Sequence, residues 1–362
     1  MKVFVLGAGA VGCYLGGRLA LAGHEVTLIG RPSLLEATQS VGLLIHDDRV
    51  MSVAPAVTLS WDEACAVSGS PDMVFATVKA FDVDALAATL AAAGGTFPVV
   101  AWQNGVGSEE RLAAALGAER VISATLTASV SMPRPGMVQV NTPGRGVAVA
   151  PVLDAQPGGA GVPGTPGTQL AGELTRIFRE AGVRVTEAPD HRSLKWSKLC
   201  LNILLNASCA ILDRTPGEVA GDPLVYHMER AAFAEATAVM SALGARPVHL
   251  PGYSLSLVRA VLLHAPAWAG RAAFARLGGS GRGSKLPSLL GDLRRGRRQT
   301  EVGYLNGAVA TWGERVGIDA PVNKGLARLV TELAAGEADP AEYRGNPRAL
   351  WWYLHNAARR PA

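Results

Sequence analysis

Charge is scarce in this chain: 18% of its 362 residues are charged, 6% are aromatic, and cysteine occurs four times. Low charge with 49% apolar residues is the reverse of a disordered composition, and the length suffices for two cores. No clean apolar run reaches the ~18 residues that a membrane span needs. The greasiest stretch, residues 250–277, is cut by Arg259, Pro266 and Arg271. The opening MKVFVLGAGAVGC carries too many glycines for the apolar helix of a secretory leader. Cys13, Cys65, Cys200 and Cys209 form no C-x-x-C pair, and histidines do not cluster. The expectation is a reduced, cytoplasmic protein without a metal.

Lysine is scarcer still. Six lysines stand against 28 arginines, and three of the six are Lys79, Lys195 and Lys198. An arginine stays charged, whereas a lysine ammonium can shift its pKa and donate a proton, so these positions hint at proton chemistry. The net charge of +4 is local. Residues 282–298 hold Arg282, Lys285, Arg294, Arg295, Arg297 and Arg298 against Asp292 alone, which leaves the rest of the chain slightly negative. No nucleic-acid module accompanies this segment, so no nucleic-acid partner is expected. It reads as a solvated helix end or loop, with an anion-binding role as the alternative.

The first half alternates strand and helix signals. Residues 3–6, 25–29, 73–78 and 99–102 are strand-like, with helical stretches at 11–21, 83–93 and 109–116. Ser33 with Glu36 and Ser60 with Glu63 read as capping boxes that open further helices. Such alternation argues for an α/β domain, a parallel sheet covered by helices on both faces. More strands are expected over 121–150, a Pro/Gly-rich loop over 155–167, then a helix (170–181) and a strand (183–186). Near residues 188–190 the pattern turns almost wholly helical, with expected helices at 191–212, 223–243, 254–263, 288–293, 301–316 and 323–335. Thr215-Pro216-Gly217-Glu218 combines a capping box with proline at the first helical position. The expected domains are 1–188, 189–338 and a C-terminal extension, 339–362.

Gly7-Ala8-Gly9-Ala10-Val11-Gly12 follows a strand and opens a helix. In G-x-G-x-x-G the first glycine permits a tight turn, the second lets backbone approach a pyrophosphate, and the third lets helix and strand pack closely. All six residues are candidate cofactor contacts. The second strand ends Leu28-Ile29-Gly30-Arg31, with an arginine where a carboxylate would bind a ribose 2′-hydroxyl. A guanidinium there suits a 2′-phosphate, which favours NADP(H) over NAD(H). Lys79 and Asn104 lie just past later strands, where open α/β sheets bind ligands.

In the second half, Lys195, Lys198, Asn202 and Asn206 fall on one stripe of an otherwise apolar helix, at about 100° per residue. Buried amides need partners, and either a polar ligand or neighbouring backbone could supply them. Thr300-Glu301 reads as a helix cap followed by a carboxylate at a helix N-terminus.

Together these motifs resemble the ketopantoate reductase (2-dehydropantoate 2-reductase) family. Gly7–Gly12, Val78-Lys79-Ala80, Gln103-Asn104-Gly105-Val106-Gly107, Trp196-Ser-Lys198-Leu-x-x-Asn202-x-x-x-Asn206 and Thr300-Glu301 occur in the family's order, over about residues 1–330. The resemblance implies an N-terminal Rossmann-type doubly wound sheet, an all-helical C-terminal domain and NADPH-dependent reduction of ketopantoate to pantoate. It also implies Lys198 as proton donor, with Asn202, Asn206 and Ser288 holding the keto acid. Asn104 would touch both ligands and Glu301 would bind where they meet; a homodimer is conceivable. The chain departs from the family pattern after Asn206, where Ala-Ser-Cys stands for the common Pro-Leu-Thr, and at Pro216, where some members carry a substrate-binding asparagine. Residues 254–283 and those beyond about 338 read as additions.

Overall fold

The structure, a computed structural model, describes residues 1–152, 165–280 and 286–357. It divides into two compact units. One comprises Met1–Gln103, Gly107–Lys195 and His249–Tyr253; the other comprises Asn104–Val106, Trp196–Val248 and the chain from Ser254 onward. The expected loop at 155–167 falls almost wholly outside the described residues, as do Arg282 and Lys285.

Among the described residues, twelve strands form the two main sheets of the first unit: β1 Lys2–Leu6, β2 Glu25–Ile29, β3 Leu43–His46, β4 Val50–Val53, β5 Ala56–Thr58, β6 Met73–Ala76, β7 Val99–Ala101, β8 Val121–Leu126, β9 Val130–Arg134, β10 Met137–Val140, β11 Gly146–Pro151 and β12 Arg184–Glu187. Eight form one sheet in the order β5-β2-β1-β6-β7-β8-β11-β12, parallel from β5 to β8, with β11 antiparallel to β8 and β12 parallel to β11. The first six positions are the doubly wound order of a Rossmann-type sheet, with strand order reversing between β1 and β6. The expected α/β class with a helical second part is borne out.

Alternation along β1 shows why both faces must be covered. Val3 and Val5 enter a core with Leu15, Leu28 and Phe75, whereas Phe4 and Leu6 enter another with Val74, Leu86 and Leu112. Successive side chains point to opposite faces, so a strand apolar at every position needs helices on both sides. Val3, Phe4 and Val5 have no exposed surface, and each such burial contributes about 1.5–3 kcal/mol.

A second sheet, β4-β3-β10-β9, was not foreseen as a separate layer. Its strands are short, and β3 and β10 pair in parallel although far apart in sequence, a pairing no local pattern encodes. It packs against the Ala10–Leu21 helix, where a Cβ on Gly17 would come 2.6 Å from Ile45.

Local capping expectations divide. Ser60 caps the Trp61–Ser68 helix by accepting from Glu63 N–H at 3.2 Å. Thr215 N–H donates to the Glu218 carboxylate at 2.7 Å, as a capping box requires. Ser33 caps nothing. The helix Pro32–Val41 starts two residues earlier, with Arg31 at the N-cap, because Pro32 has the fixed φ suited to a first helical position.

The second unit is helical, and its core holds Leu199, Leu204, Tyr226, Phe233, Val239, Leu289 and Leu329 among others. The single helix expected over 191–212 is broken. It runs as His191–Ile203, turns at a left-handed Leu205 (φ +56°), and resumes as Ala207–Leu212. The buried Glu229 carboxylate holds the break, accepting Leu205 N–H at 2.8 Å and the Ser208 hydroxyl. Residues 301–316 likewise split into a 3₁₀ turn, Glu301–Tyr304, and a helix, Asn306–Arg315. The segments that read as additions share the same core. Leu255, Leu262 and Phe274 are buried in it, as are Tyr343, Leu350 and Leu354 from the turn Pro340–Tyr343 and the helix Pro347–Ala357.

Candidate active site

The glycine loop lies at the carboxyl end of β1. Gly7 has φ +102°, and a Cβ there would lie 2.5 Å from Val78 N, so any other residue would push the β1 and β6 loops apart. A Cβ on Gly12 would lie 2.7 Å from both the Gly7 carbonyl and Thr77 Oγ1. Gly9 differs: its Cβ would meet only its own turn, at 3.9 Å, and it is exposed. The helix that begins at Ala10 has no side-chain cap and no acidic residue in its first turn. Backbone N–H groups and the positive helix end are thus presented beside an open glycine, an arrangement that fits a pyrophosphate. Ala8 N–H donates to the Ile29 carbonyl at 3.0 Å, and a Cβ on Gly30 would lie 2.9 Å from Ala8 Cβ, which places the β2 end against the loop. Arg31 follows it and is exposed. Cys13 Sγ donates to the Ala8 carbonyl at 3.3 Å, and burial pushes its thiol up to about 12, so it stays a neutral packing group.

Lys79 follows β6 and is half-buried at the start of a 3₁₀ turn, Ala80–Asp82. Gln103, four-hundredths exposed, donates through Nε2 to the carbonyls of Ala76 at 2.8 Å and Val78 at 3.2 Å, tying the loops after β6 and β7 together. Lys195 Nζ donates to the Gln103 carbonyl at 2.6 Å and pairs with Glu109 Oε1 at 2.9 Å. Glu109 Oε1 also accepts from the Ser123 hydroxyl at 2.8 Å. The side chains of Lys195 and Glu109 are 3% and 1% exposed. Lys195 therefore does not continue a stripe with Lys198; it belongs to a buried ion pair in the first unit. Sequence reasoning missed Glu109, whose only signal is a place in the first turn of Ser108–Leu116, where acidic residues are common for dipole reasons.

The other candidate groups lie in the second unit. Lys198 is half-buried on the His191–Ile203 helix, one turn before Asn202. Asn202 Nδ2 donates to Asn104 Oδ1 at 3.3 Å. Gly105 (φ +83°) would carry a Cβ 2.1 Å from the Tyr304 carbonyl, so its lack of a side chain seats the Asn104 loop on the turn that opens with Glu301. Glu301 is itself 3% exposed. Asn206 Nδ2 donates to Ser288 Oγ at 3.2 Å, and its Oδ1 accepts Leu289 N–H at 3.2 Å. The structure thus brings together Asn104 with Asn202, and Asn206 with Ser288. The helix break means that Asn206 reaches its place from the start of a new helix, and helical periodicity from Lys198 does not reach it.

The basic segment is less independent than its charge suggested. Arg295 and Arg297 both bond the buried Asp292 Oδ1 at 2.8 Å, and Arg294 Nε bonds Asp213 Oδ1 at 2.6 Å. Arg294, Arg295 and Arg297 are exposed at the end of the helix Ser288–Arg294, as a solvated helix end would be, and each is also tied to a carboxylate of the same unit. Among the described residues no group of three potential metal ligands occurs, and no helix is long and apolar enough to cross a membrane.

Comparison with known proteins adds an independent view. The ketopantoate reductase PanE/ApbA family model matches residues 3–150, and its C-terminal counterpart matches residues 190–334. A 2-dehydropantoate 2-reductase of Archaeoglobus fulgidus is 30% identical over 335 residues, 92% of this chain and 98% of that protein. A PanE/ApbA family ketopantoate reductase structure from Ralstonia eutropha JMP134 aligns with a TM-score of 0.74 at 29% identity, covering 93% and 99% of the two chains. A D-mandelate dehydrogenase in complex with NADH and anilino(oxo)acetate shares the fold, with a TM-score of 0.74 at 20% identity over 93% and 99% of the chains.

Proposed function

Because the chain belongs to the ketopantoate reductase family, we propose that it reduces ketopantoate to pantoate with NADPH, a step toward pantothenate and coenzyme A. The observation that carries the reading is the meeting of Asn104 with Asn202 and of Asn206 with Ser288 in the helical unit that also carries Lys198 and Glu301. Gly7, Ala8, Gly9, Ala10, Val11 and Gly12 would hold the pyrophosphate, Arg31 the 2′-phosphate, and Lys79, Asn104 and Glu301 the remainder of the cofactor. The uncapped helix and the open space at Gly9 fit that group. When bound, the nicotinamide supplies the hydride for the keto carbon.

The chain's own residues do the rest. Asn202, Asn206 and Ser288, with Asn104, bind and orient the keto acid, which lowers the entropic part of the barrier. Lys198 gives its proton to the carbonyl oxygen as negative charge develops there. Reduction of a neutral ketone carbon by hydride leaves an alkoxide, so an ammonium donor closes the proton balance. We assign residues 1–188 to nucleotide binding, 189–338 to the helical substrate and catalytic part, and 339–362 to a C-terminal extension, whose Tyr343, Leu350 and Leu354 share the helical core.

The test is NADPH oxidation at 340 nm against a panel of 2-keto acids that includes ketopantoate. Turnover of ketopantoate with the highest kcat/KM supports the proposal. Faster turnover of another branched 2-keto acid would move the substrate while keeping the chemistry; the Ala207-Ser208-Cys209 departure after Asn206 is the feature that favours this second reading. Tight NADPH binding without turnover of any member would make the chain a nucleotide sensor and overturn the enzymatic reading.

A further inference from the structure

The helices Ala207–Leu212 and Ser288–Arg294 are linked at both ends. At their starts Asn206 Nδ2 bonds Ser288 Oγ at 3.2 Å; at their ends Arg294 Nε bonds Asp213 Oδ1 at 2.6 Å and Arg294 Nη2 bonds the Asp213 carbonyl at 3.2 Å. They therefore lie side by side and run in the same direction. Asp213 is left-handed (φ +49°), a conformation that Asp and Asn tolerate best among residues with side chains. Its other oxygen, Oδ2, lies 3.3 Å from Arg344 Nε, and Gly345 N–H donates to the Leu212 carbonyl at 2.8 Å. Arg344 and Gly345 belong to the C-terminal segment, so that segment closes the end of the helix that Asn206 begins.

We infer that Asp213, with Arg294 and Arg344, is a positioning clamp that fixes the relative placement of Asn206 and Ser288 for the keto acid. Asn206 holds the starts of the two helices through Ser288 Oγ and Leu289 N–H, and Ile211, Leu212, Leu289 and Leu290 pack in one core. The tie at the far end restrains the remaining sliding and tilting of one helix against the other, and small misplacements of orienting groups are costly in catalysis. The inference rests on the assignment of Asn206 and Ser288 to the substrate. It gives the C-terminal segment a task at the site although it contributes no group to the chemistry.

The test uses the full chain, with ketopantoate and NADPH. Asp213→Ala and Arg294→Leu should each raise KM for ketopantoate about three- to ten-fold, the scale of one or two partly exposed ion pairs. In both, kcat should stay within two-fold and the NADPH dissociation constant should be unchanged. Arg344→Ala should give a smaller rise. Asp213→Asn, which keeps an acceptor and tolerates the backbone, should recover most of the loss. In Asn206→Ala, KM should rise further, and adding Asp213→Ala to it should change nothing more. An unchanged KM in Asp213→Ala and Arg294→Leu beside a raised one in Asn206→Ala would overturn the clamp alone. So would a joint loss of kcat and NADPH affinity, which marks general loosening. An unchanged KM in Asn206→Ala would remove the site assignment, and the clamp with it.

Discussion

Lys195 and Lys198 lie three residues apart on one helix, and substitution should separate them completely. Lys195→Met leaves Glu109, 1% exposed, with the Ser123 hydroxyl but without its cation. Orphaning one member of a buried pair costs about 3–5 kcal/mol. With about 2–4 °C of melting temperature per kcal/mol in domains of this size, the loss should be about 6–20 °C. Lys195→Met with Glu109→Gln removes both charges together and should recover much of that loss, because the charge desolvation disappears with the pair. Lys198 is only half-buried, so Lys198→Ala should melt within a few degrees of the parent. It should nevertheless lower kcat by about 10²–10⁴-fold, the usual contribution of a positioned proton donor. Thermal melting by circular dichroism and steady-state NADPH oxidation on the same preparations provide both axes. A Lys195→Met protein that melts like the parent yet has lost turnover would refute the assignment of the two lysines. So would a Lys198→Ala protein with near-normal kcat.

Arg31→Ala should weaken NADPH by about 1.5–3 kcal/mol, as for one charge-assisted hydrogen bond, with NADH affinity little changed; equal losses would sink the 2′-phosphate assignment. Replacing Arg295 and Arg297 together with glutamine should lower the melting temperature, because the buried Asp292 carboxylate loses both cations; an unchanged melt would show that Asp292 needs neither. Burial pushes the Glu110 carboxyl up, but the hydrogen bond and charge of His191 outweigh it, and the group sits below its ordinary 4.5. A depressed native pKa gives stability that is present above the unfolded value and lost as pH falls through the native one, so the protein should weaken below about pH 4.5. Glu110→Gln should flatten the melting-temperature profile in that acid window.

Periodicity and short motifs were enough to read β1, β2, β6 and β7, the glycine loop and the passage from α/β to helical structure. These features are local: a strand buried on both faces is apolar throughout, and a tight turn that needs φ +102° shows itself as Gly7. Ser33 misled because a capping pattern states what a side chain could do, while Pro32 decided where the helix began. The second sheet was invisible because β3 and β10 pair across more than ninety residues. The stripe from Lys195 to Asn206 shows the divide most clearly. Sequence placed four polar residues on one helical face; tertiary structure gave Lys195 to Glu109, left Lys198 and Asn202 on one helix, and moved Asn206 to the next. A buried charge goes where a partner lies within hydrogen-bonding reach, and a helix ends where another element satisfies its freed backbone, as Glu229 does at Leu205. Both outcomes depend on residues distant in the chain, so residue identities set what each group could do and packing alone decided which did it.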